Sequence, residues 1–136
     1  MGNGIKVLTI DDDANIQTVL KKVLESKNYH VVQAGDGEEG LKKVIDEKPD
    51  LIILDVIMPG KTGFDVCRQL KTDEKYYFFS QIPVLMLTVY PDEREQANLS
   101  MREGMTMEAE DYMHKPIDPK ELLSRVETLL KERVKK

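Results

Sequence analysis

A chain of 136 residues has about the length of one domain, and 40% hydrophobic residues suffice to bury a core. A net charge of −5, with no basic stripe apart from the last few residues, argues against direct nucleic-acid binding by this segment. No run approaches the ~18 apolar residues of a membrane span, no signal-peptide pattern opens the chain, and the single Cys67 cannot form an internal disulfide, so a cytoplasmic, single-domain protein is expected.

Five short apolar runs alternate with helix-like segments. Ile5–Ile10 is the first, nearly continuous in apolar residues, as in a strand buried on both faces of a parallel sheet. It ends in Asp11-Asp12-Asp13, and a helical stripe of Ile16, Val19, Leu20, Val23 and Leu24 follows. Tyr29–Ala34 is the second run. Asp36 with Glu39 resembles a capping box for a helix through Leu41, Val44 and Ile45. Leu51–Leu54 is again continuously apolar and leads into Asp55, and a helix after Gly63 is expected to bury Phe64, Val66, Cys67 and Leu70. Tyr76-Tyr77-Phe78-Phe79 then reads as aromatics packed beneath a loop. Pro83–Thr88 and Asp111–His114 complete the strand set. Between them, from Pro91 to Glu110, Ala97, Leu99, Met101, Met105 and Met107 form no clean stripe, and Gly104 interrupts the middle. The last helix starts with Asp118 at its cap, Pro119 in first position and Glu121 in third. Its apolar face is Leu122, Leu123, Val126, Leu129 and Leu130, and 131–136 reads as its end or as the start of a linker.

Strands alternating with helices imply right-handed crossovers and a parallel sheet covered on both faces. In such folds, sites form at the carboxyl ends of the strands. Those ends carry Asp11, Asp12 and Asp13, then Asp55, Thr88, and Lys115 followed by Pro116. Clustered carboxylates repel unless a cation sits among them, and Mg²⁺ (or Mn²⁺) prefers such oxygen ligands. An aspartate can act as nucleophile and form an acyl phosphate. A lysine and a hydroxyl suit the oxygens of the transferring group. The constellation reads as phosphoryl transfer to an aspartate.

The stretch Leu51-Ile52-Ile53-Leu54-Asp55-Val56-Ile57-Met58-Pro59-Gly60-Lys61-Thr62-Gly63 resembles the signature of response-regulator receiver domains. The acid pair after the first strand, Thr88 after the fourth and Lys115-Pro116 after the fifth stand in that family's order, and the similarity runs from Ile5 to about Arg133 within a single domain, 1–136. The resemblance implies a flavodoxin-like α/β fold: a doubly wound five-stranded parallel sheet of order 2-1-3-4-5 with five helices on two faces. It implies a signalling domain rather than an enzyme, with Asp55 accepting phosphate from a sensor histidine kinase or phosphotransfer protein. Metal ligands would be Asp12, Asp11 partly through water, Asp55 and the backbone carbonyl of Ile57. Lys115 would hold the phosphoryl group across a cis bond to Pro116, and Thr88 with Tyr112 would be the switch pair. The surface built from the fourth helix, the fifth strand and the last helix would then address a downstream protein, a covalently linked output domain or a second copy in a phosphorylation-dependent homodimer.

Plainer roles are assigned to the neighbours. Asp13 is expected to cap the first helix, Cys67 to be a small core residue, and His30 and His114 to be structural or exposed. The Met cluster (Met101, Met105, Met107, Met113) reads first as core filler. Two positions depart from the family pattern: Val89, where a small residue is usual, and Glu108, where glycine is usual, in a segment longer than typical. Two other readings stay open. One is a haloacid-dehalogenase-like phosphohydrolase with Asp11 as nucleophile and Asp13 as second acid; the other is a receiver-like interaction module that takes no phosphate.

Overall fold

The computed structural model describes residues 4–88 and 109–135. The strands are β1 (Lys6–Ile10), β2 (His30–Ala34), β3 (Leu51–Asp55), β4 (Val84–Thr88) and β5 (Asp111–His114). Among the described residues the helices are α1 (Ala14–Glu25), α2 (Gly37–Glu47), α3 (Gly63–Thr72) and α4 (Pro119–Lys135), with a 3-10 segment over Glu74–Phe79. The strands form one parallel sheet in the order β2-β1-β3-β4-β5. The predicted strands therefore stand, each within a residue of its expected ends. Of the predicted helix between Pro91 and Glu110, residues 91–108 lie outside the described residues, and so does Val89; Glu108, Met101, Met105 and Met107 fall within that stretch.

Burial explains the unbroken apolar runs. All five residues of β3 are buried, and in β1 all but Lys6 are, because helices cover both faces. On one face Leu20 and Leu24 of α1 and Leu122, Val126 and Leu129 of α4 pack on Val7, Leu51, Ile53, Leu85 and Leu87. On the other, Leu41 and Val44 of α2 and Phe64, Val66, Cys67 and Leu70 of α3 pack on Leu8, Ile10, Ile52, Leu54, Val84 and Met86. Strand alternation sorts the residues into these two layers.

The helix starts differ in detail from their sequence signals. Asp13 accepts from the amides of Asn15 (2.8 Å) and Ile16 (3.3 Å), capping α1 as expected. Asp36 accepts from Glu39 N at 2.8 Å, but Glu39 Oε1 returns to Gly35 N at 2.7 Å instead of to the cap residue itself. The reciprocal box is at α3, where Thr62 Oγ1 accepts from Asp65 N and Asp65 Oδ2 accepts from Thr62 N, both at 3.1 Å. At α4, Asp118 Oδ1 accepts from Lys120 N at 3.0 Å, while Glu121 pairs with Arg125 and closes no box. The aromatic run divides: Tyr76 is buried and Phe79 packs on the core, whereas Tyr77 and Phe78 are exposed and meet edge to face.

The order of β2-β1-β3 places a topological switch point between β1 and β3, so the chain crosses to opposite sides after these strands and leaves a crevice at their carboxyl ends. The return from β3 into α3 is tight. Gly63 N donates to Val56 O at 2.7 Å, and a Cβ at Gly63 would overlap the Asp55 carbonyl oxygen and stand 2.8 Å from Val56 Cα. Both obstacles are backbone, which cannot rotate aside. Gly63→Ala is therefore expected to lower stability by about 1–3 kcal/mol in urea unfolding, with the loop after Asp55 displaced; an unchanged midpoint would contradict this packing.

Candidate phosphoryl-transfer site

The crevice gathers residues from three strand ends. Asp11 follows β1, Asp55 closes β3, and Lys115 follows β5. Carboxylate oxygens of Asp11, Asp12 and Asp55 all lie within 4.8 Å of one another. Asp11 and Asp55 are buried, at 1% and 5% exposure, while Asp12 is open to solvent. The Lys115 ammonium donates to Asp55 Oδ1 at 3.0 Å and stands 3.3 Å from Asp11 Oδ2.

The charges are poorly compensated. Burial pushes the Asp55 carboxyl above the usual carboxylate range, and the neighbouring Asp11 adds to it, although the Lys115 hydrogen bond pulls the other way. Burial raises Asp11 likewise, against the Asp13 amide and Lys115, which lower it. For Lys115, burial opposes the ammonium, but Asp55 and Asp11 outweigh it and hold the lysine above its ordinary value. Three acids against one lysine leave room for a cation.

The donor set fits a hard divalent ion. Asp11 Oδ1 accepts from Asp13 N at 2.9 Å, whereas its buried Oδ2 has no hydrogen-bond partner among the described residues. The Lys115 ammonium is near that oxygen but outside hydrogen-bond geometry, so the distance alone overstates the pairing. A buried carboxylate oxygen without a hydrogen-bond partner, on an acid clustered with two other carboxylates of which one is solvent-facing, is oxygen chemistry suited to Mg²⁺ or Mn²⁺.

The remaining expected residues lie around this group. Ile57 is in the loop after β3, with its side chain 59% exposed, while Met58 beside it is buried. Lys115-Pro116 is a cis peptide. Thr88 ends β4 half-buried, and its hydroxyl lies 2.9 Å from His114 Nδ1 on β5. Tyr112 is half-buried against the α2–α3 layer of the core. Asp13, which the hydrolase reading needs as its second acid, is occupied at the start of α1 instead.

Two residues escaped the sequence reading. Gln17 sends its amide to the carbonyl oxygens of Thr9 (3.2 Å), Asp11 (3.1 Å) and Ala34 (2.9 Å), and its Oε1 accepts from the buried Thr9 hydroxyl at 2.6 Å. It ties the ends of β1 and β2 together directly behind the acids. A polar residue among the apolar positions of α1 was the only available signal. His114, expected to be structural or exposed, is half-buried and bonded to Thr88, a partner the sequence does not reveal. Only the β4–β5 register, which pairs Thr88 with His114, exposes that contact.

At the start of β5, away from the strand ends that carry the site, Arg125 of α4 donates to both Asp111 oxygens (2.8 and 2.9 Å), to the Tyr112 carbonyl (3.1 Å) and to Glu121 (3.0 Å). It joins β5 to α4.

Comparison with known proteins agrees with this architecture. The family model for the response regulator receiver domain matches residues 7–127. The alkaline phosphatase synthesis transcriptional regulatory protein PhoP of Bacillus subtilis is 43% identical over 126 residues, covering 93% of this chain and 48% of that protein. The DNA-binding response regulator MtrA of Mycolicibacterium paratuberculosis is 36% identical over 126 residues, covering 93% and 51%. The chain thus spans about half the length of these relatives. Among solved structures, the signal receiver domain of a signal transduction histidine kinase from Syntrophus aciditrophicus superimposes with a TM-score of 0.81 at 30% identity, covering 95% of this chain and 92% of that one. The chemotaxis protein CheY4 of Vibrio cholerae gives 0.73 at 31%, covering 92% and 98%. A sheet of this order with the family's match across most of its length leaves one assignment: the chain belongs to the response regulator receiver domain family.

Proposed function

We propose that the chain, as one receiver domain over 1–136, takes a phosphoryl group onto Asp55 from the phosphohistidine of a sensor kinase or phosphotransfer protein. The observation that carries this is the placement of the Asp55 carboxylate, buried at the end of a central strand, 3.0 Å from the Lys115 ammonium and beside two further acids. An Asp55 oxygen forms the new O–P bond as the N–P bond of the donor breaks and its electron pair leaves with the imidazole. Lys115, already bonded to Asp55, neutralises the oxygens of the arriving group. The Thr88 hydroxyl bonds one of them, and Tyr112 follows. Asp11, Asp12, Asp55 and the Ile57 carbonyl would hold Mg²⁺, which supplies positive charge to the phosphoryl oxygens when bound.

The output is the face of β5 and α4. PhoP is named a transcriptional regulator and MtrA a DNA-binding one; by analogy the partner is a linked DNA-binding output domain, or a second copy meeting this face after phosphorylation, in the cytoplasm. Contacts made in only one of two states are what shift such a surface.

The test is incubation with Mg²⁺ and acetyl phosphate followed by intact-mass measurement. A gain of about 80 Da, one phosphoryl group, supports the reading. An unmodified mass, together with no binding of beryllofluoride, would leave an interaction module that takes no phosphate.

Mg²⁺ alone should also raise the thermal midpoint. At ten times its dissociation constant a ligand specific to the native state adds about 1.4 kcal/mol, a shift of roughly 3–8 °C. Asp11→Ala is expected to lose that shift, and a retained shift would move the metal elsewhere.

A further inference from the structure

The hydroxyl of Thr88 is not idle in the unphosphorylated chain. Thr88 and His114 are paired across the parallel strands β4 and β5. Val84 and Met86 lie in the α2–α3 layer, and alternation gives the Thr88 side chain the same face. Tyr112, two residues before His114, also packs on that layer, so His114 shares it. The Thr88 Oγ1 to His114 Nδ1 distance is 2.9 Å. Thr88 is also pinned in its main chain, because Lys115 N donates to its carbonyl oxygen at 2.6 Å. With the backbone fixed, only rotation about the threonine Cα–Cβ bond can move the hydroxyl oxygen, while rotation about Cβ–Oγ1 turns its proton.

A threonine hydroxyl carries one proton. If Nδ1 of His114 accepts it, that proton cannot be given to a phosphoryl oxygen at the same time. We propose that His114 is a positioning residue that holds the Thr88 hydroxyl toward β5, through an Nδ1 acceptor, until a phosphoryl group on Asp55 competes for it. This rests on the reading of Asp55 as phosphoacceptor. The bond belongs to the unmodified state alone, so it shifts the two-state equilibrium toward that state by its own net strength. Its removal should therefore strengthen binding at the phosphoryl site, the opposite of what damage to a structural residue does.

Beryllofluoride with Mg²⁺, titrated against the whole chain, reads that equilibrium. His114→Val is expected to tighten beryllofluoride binding about 2- to 10-fold, the worth of one hydrogen bond. His114→Asn keeps an acceptor near the Nδ1 position and should return affinity to within about twofold of the unaltered protein. With Thr88→Val already in place, His114→Val should change nothing, since no hydroxyl remains to release. In the ligand-free protein, nitrogen NMR should show His114 Nδ1 unprotonated, with a resonance that moves in Thr88→Val. Unchanged or weakened binding in His114→Val overturns the proposal. So does an equal gain in the Thr88→Val background, or a protonated Nδ1 that donates to Thr88. Should His114→Val fail to fold, His114→Ala makes the same comparison. If the unaltered chain binds beryllofluoride but these variants do not behave as stated, only the role of His114 falls. If it binds none and acetyl phosphate adds no mass, the reading of Asp55 falls and this role with it.

Discussion

Asp55→Asn is expected to abolish the mass gain from acetyl phosphate, leaving the chain folded and unlabelled. The amide has nearly the shape of the carboxylate but is not nucleophilic at phosphorus, so no acyl phosphate forms. The fold should tolerate the change. Burial, the largest influence on Asp55, already disfavours its charged form. A carboxyl whose native pKa lies above its unfolded value makes stability fall as pH rises through the native value. At neutral pH the charge is therefore a burden, and the amide relieves part of it. The same variant separates the hydrolase reading, because a phosphohydrolase using Asp11 would go on releasing phosphate from small esters. Label retained on Asp55→Asn, located by peptide mapping, would assign the acceptor to another residue.

Lys115→Met is expected to have the largest effect on stability, a loss of about 3 kcal/mol near pH 8. The lysine is the cation facing both buried acids, 3.0 Å from Asp55 and 3.3 Å from Asp11, and its side chain is only 14% exposed. Its native pKa is raised, so its contribution is fully present below the ordinary lysine value of about 10.4 and disappears only above it. Without the lysine, the Asp55 and Asp11 carboxyls, already raised by burial, lose their main compensating charge and titrate higher still. The native state then binds more protons than the unfolded state from about pH 4 upward. The deficit should shrink steadily as pH falls from 8 toward 5. Urea midpoints across that range are the measurement, and a loss independent of pH would show that the side chain acts by packing rather than by charge.

Much of this architecture was legible in the chain itself, because its signals are local. The nearly continuous apolar run Val7–Ile10 and the unbroken one Leu51–Leu54 report strands covered on both sides, and β1 and β3 lie inside the sheet. The alternation of strand and helix dictates parallel pairing, and parallel pairing brings all strand ends to one edge. Asp11, Asp55, Thr88 and Lys115 could be placed at that edge from their positions after apolar runs. Asp13 could be given to the α1 cap because capping needs only the next few amides.

What only the tertiary structure decided depends on lateral register and on side-chain reach. The sequence does not say that Thr88 stands opposite His114, so a histidine that reads as structural or exposed is bonded to the expected switch residue. Nor does periodicity distinguish Tyr76 from Phe78, although one is buried and the other 90% exposed, because that depends on where the 3-10 segment lies against α3. Gln17 reaches carbonyls at positions 9, 11 and 34, a junction defined by two strand ends meeting in space. The uneven burial of three consecutive acids has the same origin: the crevice between β1 and β3 encloses Asp11, leaves Asp12 at its mouth and turns Asp13 toward the helix. Local pattern selects which residues can form the site, and the packing of the strand ends determines the charge, the exposure and the partner of each.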